Sequence, residues 1–179
     1  MAKIEKPVAR KEYKCSKCGE VIKKGEQYLK GSPFRCKPII RCQKCGLRHW
    51  ELSSSDYIQS VGRLVDCWQE DYELGESTAQ EIADELTNIL DECQDRLDNM
   101  PEGLQEGDAG QLLQERIDQL GDVISELEDI DYDIIKEEAE AEAENEFNAG
   151  TDEYEASVKA RIESQLIDAV NEALGQLDY

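Results

Sequence analysis

Two matched cysteine motifs near the beginning of the chain constrain its fold more than any other feature. The pattern C-x-x-C-G starts at Cys15 and is repeated at Cys42. A C-x-x-C turn directs two sulfurs at one point, so two such turns complete a tetrahedron around a single ion. The glycine that follows each pair allows the positive φ that a tight turn requires. The motifs therefore predict one structural Zn²⁺ bound by Cys15, Cys18, Cys42 and Cys45.

The remaining cysteines and the single histidine leave alternatives open. Cys36 and His49 lie close enough in sequence to replace a thiolate or to lie beside the metal. Redox dithiols are the other interpretation of the motifs, although one such motif would suffice for redox chemistry. Four thiolates leave no open coordination position, so we expect a structural metal. Cys93 lies on the apolar stripe of its predicted helix, whereas Cys67 lies off the apolar stripe of its predicted helix. No catalytic cysteine–histidine pair is predicted.

The charge of the chain changes sign after its first fifty residues. Residues 1–50 contain 14 basic and 4 acidic residues, a net charge of +10. Residues 51–179 contain 6 basic and 38 acidic residues, a net charge of −32. Such an asymmetry indicates two parts with different partners. The first part suits nucleic acid, which the second part would repel.

Basic residues of the first part alternate with aromatic residues. Lysine and arginine neutralise phosphates, and exposed aromatic rings stack on bases. The predicted nucleic-acid contacts are Lys17, Lys23, Lys24, Arg35, Lys37, Arg41, Lys44 and Arg48, and the interleaved aromatic residues are Tyr13, Tyr28, Phe34 and Trp50. The same cations have two alternative uses, which are the solubility of a small domain and contact with the chain's own acidic helices.

Composition and local patterns divide the chain into three segments. Residues 1–12 are basic and lack periodicity, which indicates a flexible arm. Residues 13–52 form the predicted four-cysteine zinc finger, in which residues 20–30 are expected to make a β-hairpin with Gly25 at its turn. Residues 53–179 form the predicted acidic helical region. The expected fold is therefore a small β-hairpin zinc finger followed by an all-α acidic helical hairpin or bundle with coiled-coil character.

Apolar residues recur at spacings of three and four after residue 53, which predicts amphipathic helices. The first helix is expected to begin at residues 53–56 and to end at Gly75, and the second to begin at a capping box of Ser77 and Gln80. A short loop around Pro101 joins the second and third helices, so we expect an antiparallel hairpin. Its predicted seam contains Ile82, Leu86, Ile89, Leu113, Ile117, Leu120 and Ile124, and the apolar stripe of the third helix is expected to continue through Leu127 to Ile134.

The last part of the chain is also predicted to be helical. Residues 137–147 are rich in glutamate and alanine, which favour a helix but offer few core side chains. A final helix is expected over residues 152–177. Its apolar stripe consists of Val158, Ile162, Leu166, Val170, Leu174 and Leu177. Heptad edges that stay exposed also allow a homodimer.

The first motif and the residues after it resemble a known class of small metal-binding domain. The stretch C-x-x-C-G-E-x-I-x-x-G-E, from Cys15 to Glu26, is similar to the opening of small treble-clef or zinc-ribbon fingers with four cysteine ligands, including those of poly(ADP-ribose) polymerases. The resemblance implies a four-ligand zinc site and a tendency to bind nucleic acid or protein. The polymerase fingers have a histidine before their last cysteine, which this chain lacks, so recognition of damaged DNA is not implied.

The order of a short finger and acidic helices is similar to the layout of uncharacterised bacteriophage proteins. The stretches GQLLQERIDQL and ISELEDI carry the same resemblance. It implies a viral protein that acts in the cytoplasm of a host cell, and it implies no assigned activity.

These observations predict a non-enzymatic accessory or regulatory protein. The basic finger is expected to bind nucleic acid or a nucleic-acid enzyme, and the acidic helices are expected to bind a protein partner. The alternative is a DNA-mimic inhibitor, for example of a host defence or DNA-processing protein, in which carboxylates imitate phosphates. No apolar run approaches the length of a membrane span, and the zinc motif suits reduced cysteines, so a cytoplasmic location is expected.

Overall fold

A computed structural model describes residues 3–33 and 36–178 of the chain. The chain divides into two compact units, which we call the basic unit, up to Arg63, and the helical unit, Leu64–Asp178. The division falls inside one continuous helix, Asp56–Asp71. The predicted segments 13–52 and 53–179 stay a prediction, because compactness alone does not identify a segment that folds by itself.

The described residues of the basic unit form two small antiparallel sheets. The strands are β1 Ile4–Glu5, β2 Tyr13–Lys14, β3 Val21–Ile22, β4 Tyr28–Gly31 and β5 Ile39–Cys42, and a 3-10 helix follows at Trp50–Leu52. One sheet has the order β1-β4-β5, and the other is the β2–β3 pair. Tyr28 is paired with Cys42 and Gly31 with Ile39 in the β4–β5 ladder. This ladder joins the middle of the unit to the start of the second cysteine motif.

The structure differs from the sequence prediction at residues 3–12, which were expected to form a flexible arm. Ile4 and Glu5 form β1 and pair with β4, and Val8 makes an isolated bridge to Gln27. The backbone N–H of Ala9 donates to the Glu26 carbonyl at 2.8 Å, and Ala9 is only 2% exposed. The segment is ordered because its backbone groups pair with a strand edge that would otherwise lack partners.

The hairpin predicted over residues 20–30 is also wrong in its pairing. Both strands and the turn are present, and Gly25 has a φ of 96°. However, β3 pairs with β2, whereas β4 pairs with β1 and β5. The tight loop between β2 and β3 is the first cysteine motif itself, so β3 takes its partner from the preceding residues.

The core of the basic unit is built around the cysteine motifs. Its buried cluster consists of Ala9, Cys15, Ile22, Tyr28 and Cys42. Leu52 is also buried and lies against β4, where a Cβ added at Gly31 would lie 2.5 Å from the Leu52 Cδ2. A side chain at this point of β4 would force the Leu52 side chain to shift, so glycine allows Leu52 its present packing.

Six helices form the rest of the described chain. They are α1 Asp56–Asp71, α2 Thr78–Asp98, α3 Glu102–Gln105, α4 Asp108–Glu128, α5 Tyr132–Glu144 and α6 Asp152–Leu174. None of the helices in the described ranges is long and apolar enough to cross a membrane. The capping box predicted at Ser77 is not formed, since the Ser77 side chain caps no backbone group and donates to Glu81 instead. Thr78 Oγ1 instead accepts from the Gly75 N–H at 2.8 Å, which fixes the turn before α2.

The hairpin of α2 and α4 forms the main core of the helical unit. The two helices pack along each other, and the short connection that contains α3 makes them antiparallel. Ile82, Leu86 and Leu120 are fully buried, as the apolar spacing in the sequence predicted. Ile117 and Ile124 are only half-buried, and Val123 is buried in place of Ile124, whereas Leu127 is buried as the predicted stripe requires. The heptad that starts at Leu113 passes through Leu120, Val123 and Leu127, so the two isoleucines flank the seam.

The second helix pair of this unit is α5 and α6. The glutamate- and alanine-rich helix contributes Ala139 and Ala143, which are completely buried although they are small. Ile134, which was expected to continue the stripe of α4, lies instead in the first turn of α5 and is 54% exposed. The guanidinium of Arg161 on α6 links the pair by ion pairs to Glu142 at 2.5 Å and Glu146 at 2.9 Å.

Candidate metal centre

The first cysteine motif occupies the turn of the β2–β3 hairpin. The Cys15 N–H donates to the Glu20 carbonyl at 2.9 Å, and the Gly19 N–H donates to the Cys15 carbonyl at 3.0 Å. Gly19 has a φ of 73°, which a residue with a Cβ adopts only with strain. The turn therefore closes as the C-x-x-C-G pattern predicts, with Cys15 buried and Cys18 exposed.

The second motif continues from the end of β5. Cys42 is the last residue of that strand, the following three residues form a turn, and Gly46 has a φ of 64°. The backbone N–H and the hydroxyl of Ser16 both donate to the Ile40 carbonyl, at 2.8 and 2.7 Å. These two bonds attach the first motif to the strand that leads into the second, and they hold the motifs together.

The four sulfurs converge on one point. The Sγ atoms of Cys15, Cys18, Cys42 and Cys45 all lie within 4.8 Å of one another. The Cys18 and Cys42 sulfurs are 3.8 Å apart. A tetrahedron with metal–sulfur bonds of about 2.3 Å has sulfur–sulfur edges of about 3.8 Å. All four are free thiols, so the arrangement can hold one metal ion.

The thiols influence one another's protonation. Burial raises the pKa of Cys15, but hydrogen bonds from the backbone N–H groups of Cys18, Cys42 and Lys17 outweigh it and lower the pKa to about 6. The Cys45 thiol donates to the sulfurs of Cys42 and Cys18, which raises its pKa to about 12, with burial acting in the same direction. One thiolate is thus favoured while a further charge beside it is opposed. A dication resolves this conflict by neutralising the shared charge.

Cys36 and His49 lie outside the sulfur cluster. Within the described ranges, the four clustered cysteines are the only group of metal-ligating side chains that comes together in this way. Both Cys36 and His49 are exposed. Cys93 lies in the α2 core, where burial raises the pKa of its thiol, and Cys67 on α1 is half-buried.

The predicted nucleic-acid contacts have different surroundings. Lys17, Lys23, Lys24, Lys37, Lys44 and Arg48 are exposed. Lys44 lies 3.5 Å from a carboxylate oxygen of Glu20, but its side chain is 81% exposed. The guanidinium of Arg41 instead makes a 2.5 Å ion pair with Glu51 and is only 13% exposed, so it supports the fold. Arg35 lies outside the described residues.

Three of the interleaved aromatic residues, Tyr13, Tyr28 and Trp50, pack against other parts of the basic unit. Tyr28 is 7% exposed, and its ring centroid lies 5.1 Å from that of Tyr13. Trp50 is half-buried and packs so closely on α1 that a Cβ at Gly62 would collide with it. Phe34 lies outside the described residues. The expectation that these rings stack on bases is therefore wrong for Tyr28, whose ring the core covers.

A polar groove that the sequence did not predict lies beside the second motif. It has a volume of about 450 Å³, and its charged lining consists of Lys23 and Lys44 together with Glu20 and Glu26. Gln27 and Gln43 also line it, and the Gln43 amide donates to the Gln27 side-chain carbonyl at 3.2 Å. The two glutamines are sixteen residues apart, so only the β4–β5 pairing brings them together.

Comparison with known proteins found no matching family model, no matching curated protein and no matching solved structure. The resemblance to fingers with four cysteine ligands consequently rests on the cysteine cluster alone, and no bacteriophage relative is identified.

Proposed function

We propose that this protein is a non-enzymatic zinc-binding adaptor. Its basic unit binds the phosphates of nucleic acid, alone or within a nucleic-acid enzyme, and its helical unit binds a protein partner. The convergence of four thiol sulfurs within 4.8 Å carries the proposal. It supports a metal-stapled module, because a metal ion adds stability to a unit whose own core is small.

Zinc is the metal that suits this site best. A closed set of four thiolates is typical of structural zinc, whereas catalytic zinc keeps one position for water. Both motifs lie in turns beside strands, and the 3-10 helix begins at Trp50, after the second motif has ended. This arrangement favours a zinc-ribbon type over a treble clef, whose second ligand pair lies at the start of a helix. The clustered free thiols support a reducing compartment such as the cytoplasm.

The exposed cations of the basic unit support phosphate binding. Residues 1–63 contain 15 basic and 6 acidic residues, a net charge of +9, which four thiolates and one Zn²⁺ reduce by about two. The exposed lysines bind phosphate as point charges, and the glutamine pair of the groove adds polar donors. Since the ring of Tyr28 is buried, we expect binding that depends mainly on the charge of the nucleic-acid phosphates and only weakly on the base sequence.

The helical unit suits a basic partner more than it imitates DNA. Residues 64–178 contain 5 basic and 36 acidic residues, a net charge of −31. The hairpin of α2 and α4 carries 13 acidic and two basic residues, a net charge of −11 over two paired helices of 21 residues. Such helices are about 31 Å long, a length over which duplex DNA carries about 18 charges. The charge density of this hairpin is lower than that of duplex DNA, which favours attraction of a basic protein. DNA mimicry is the second candidate function.

The test of the nucleic-acid role compares two charge reversals in the zinc-loaded full chain. The variant Lys44→Glu changes a residue that lines the groove beside the second cysteine motif, and the variant Lys136→Glu changes a residue on α5 of the helical unit. Both change the net charge equally. Fluorescence anisotropy with labelled single- and double-stranded oligonucleotides at low salt should show a loss of about tenfold for Lys44→Glu and a salt slope reduced by about one. Equal effects of the two variants, or no binding by the wild type, would contradict the proposal.

A further inference from the structure

The helical unit contains a cavity of about 290 Å³ that is lined largely by apolar surface. Its apolar lining comes from Leu74, Val158, Ile162 and Leu166. The last three belong to the stripe of α6, but only Leu166 and the residues after it on that stripe are buried. Val158 and Ile162 are half-buried. The first half of α6 therefore presents apolar surface that the rest of this unit leaves uncovered.

The charged groups of the cavity are mainly carboxylates. Glu140, Glu155 and Glu163 all line it, and Lys159 is the one cation among the described lining residues. The Lys159 ammonium lies 3.8 Å from a Glu163 oxygen, so this pair is locally balanced. Glu140 and Glu155 keep the lining negative. An anionic ligand is repelled here, whereas a cation is attracted.

Two tyrosines complete the wall. Tyr132 and Tyr154 are half-buried and line the cavity beside the carboxylates. Burial, together with Glu144 and Glu140, raises the pKa of Tyr154, so its hydroxyl stays protonated. Tyrosine rings and nearby carboxylates together attract an organic cation more than either does alone.

We propose that this cavity binds the aliphatic stem and charged head of a lysine or arginine side chain presented by a basic segment of a protein partner. The proposal rests on the proposed role of the helical unit in binding a protein. Such side chains bury their methylene stem while the head stays beside polar groups. Cavities for whole small molecules are roughly 300–1,000 Å³, so this one suits a side chain better than a nucleotide. The net charge of the unit attracts a basic polypeptide at long range.

The test uses a matched pair of variants on the first turn of α6. Glu155 and Glu153 are both exposed and lie in the same turn, but only Glu155 lines the cavity. The full zinc-loaded chain is titrated into a fluorescein-labelled peptide of alternating lysine and glycine, and anisotropy is recorded at low salt. Glu155→Lys should weaken binding by about tenfold, whereas Glu153→Lys should weaken it by about threefold or less. Circular dichroism confirms that both variants keep their helices.

The outcomes separate this inference from the function on which it rests. Equal weakening by Glu155→Lys and Glu153→Lys overturns the cavity as the site, while a basic partner for the helical unit is retained. Failure of the wild type to bind the peptide overturns both. Val158→Ser tests the apolar wall independently. It should weaken binding by several-fold while the charge is unchanged, and unaltered affinity would contradict the burial of a side-chain stem.

Discussion

Leu120→Ala is the sharpest test of the helical hairpin. Leu120 lies at the centre of the α4 seam and is 0% exposed. Truncation removes three buried carbons, which costs about 2.4 kcal/mol at about 0.8 kcal/mol for each group. The residual cavity adds to this cost, since buried leucine truncations span about 2.7–5 kcal/mol. We therefore expect the free energy of unfolding to fall by about 3–4 kcal/mol.

The control for this prediction lies on the same helix. Leu112 is 46% exposed, so Leu112→Ala should cost about 1 kcal/mol or less. Urea unfolding followed by circular dichroism at the helical band reports mainly the helical unit, because the basic unit contains little helix. Similar losses for the two variants, or a loss of under about 1 kcal/mol for Leu120→Ala, would refute the assignment of the α2–α4 seam.

Two further predictions concern the metal motifs. Gly46→Ala should destabilise the fold by about 1–2 kcal/mol because the φ of Gly46 is 64°, whereas Gly103→Ala, at an open position in α3, should cost nothing measurable in urea unfolding. In the metal-free protein, the pKa of Cys15 is lowered from 9.0 to about 6, so its stabilising effect is complete above pH 9 and is lost as the pH falls through 6. The raised pKa of Cys45 lowers the stability only above pH 9. The free energy of unfolding of the chelated protein, measured with urea, should therefore increase from pH 6 to pH 9. A free energy of unfolding that does not change over that range would contradict the hydrogen bonds to the Cys15 sulfur.

Local spacing was sufficient to predict the cysteine cluster. A C-x-x-C-G turn is built from neighbouring residues, and both Gly19 and Gly46 have the positive φ that the pattern requires. The helices were predictable for the same reason, because Ile82, Leu86 and Leu120 recur on one face of their helices. These features depend on short stretches of chain whose geometry the residue types decide.

The choice of partners could not be predicted in the same way. The pairing of β1 with β4 joins residues far apart in sequence. Residues 3–12 have no alternation of apolar and polar residues from which a strand could be predicted. Arg41 was predicted to contact phosphate, and its sequence position does not reveal that it pairs with Glu51 on the 3-10 helix. The stripe of α6 likewise does not reveal that Val158 and Ile162 border a cavity. Each outcome depends on which element packs against another.

The central claim is that four cysteines hold one zinc ion, and X-ray absorption at the zinc edge tests it most directly. The full chain is purified under reducing conditions, and its metal content is measured beforehand. We predict one zinc per chain with four sulfur neighbours at about 2.3 Å, and an unchanged spectrum for His49→Ala. Absence of zinc, or nitrogen or oxygen neighbours at about 2.0–2.2 Å that disappear in His49→Ala, would contradict the site formed by Cys15, Cys18, Cys42 and Cys45.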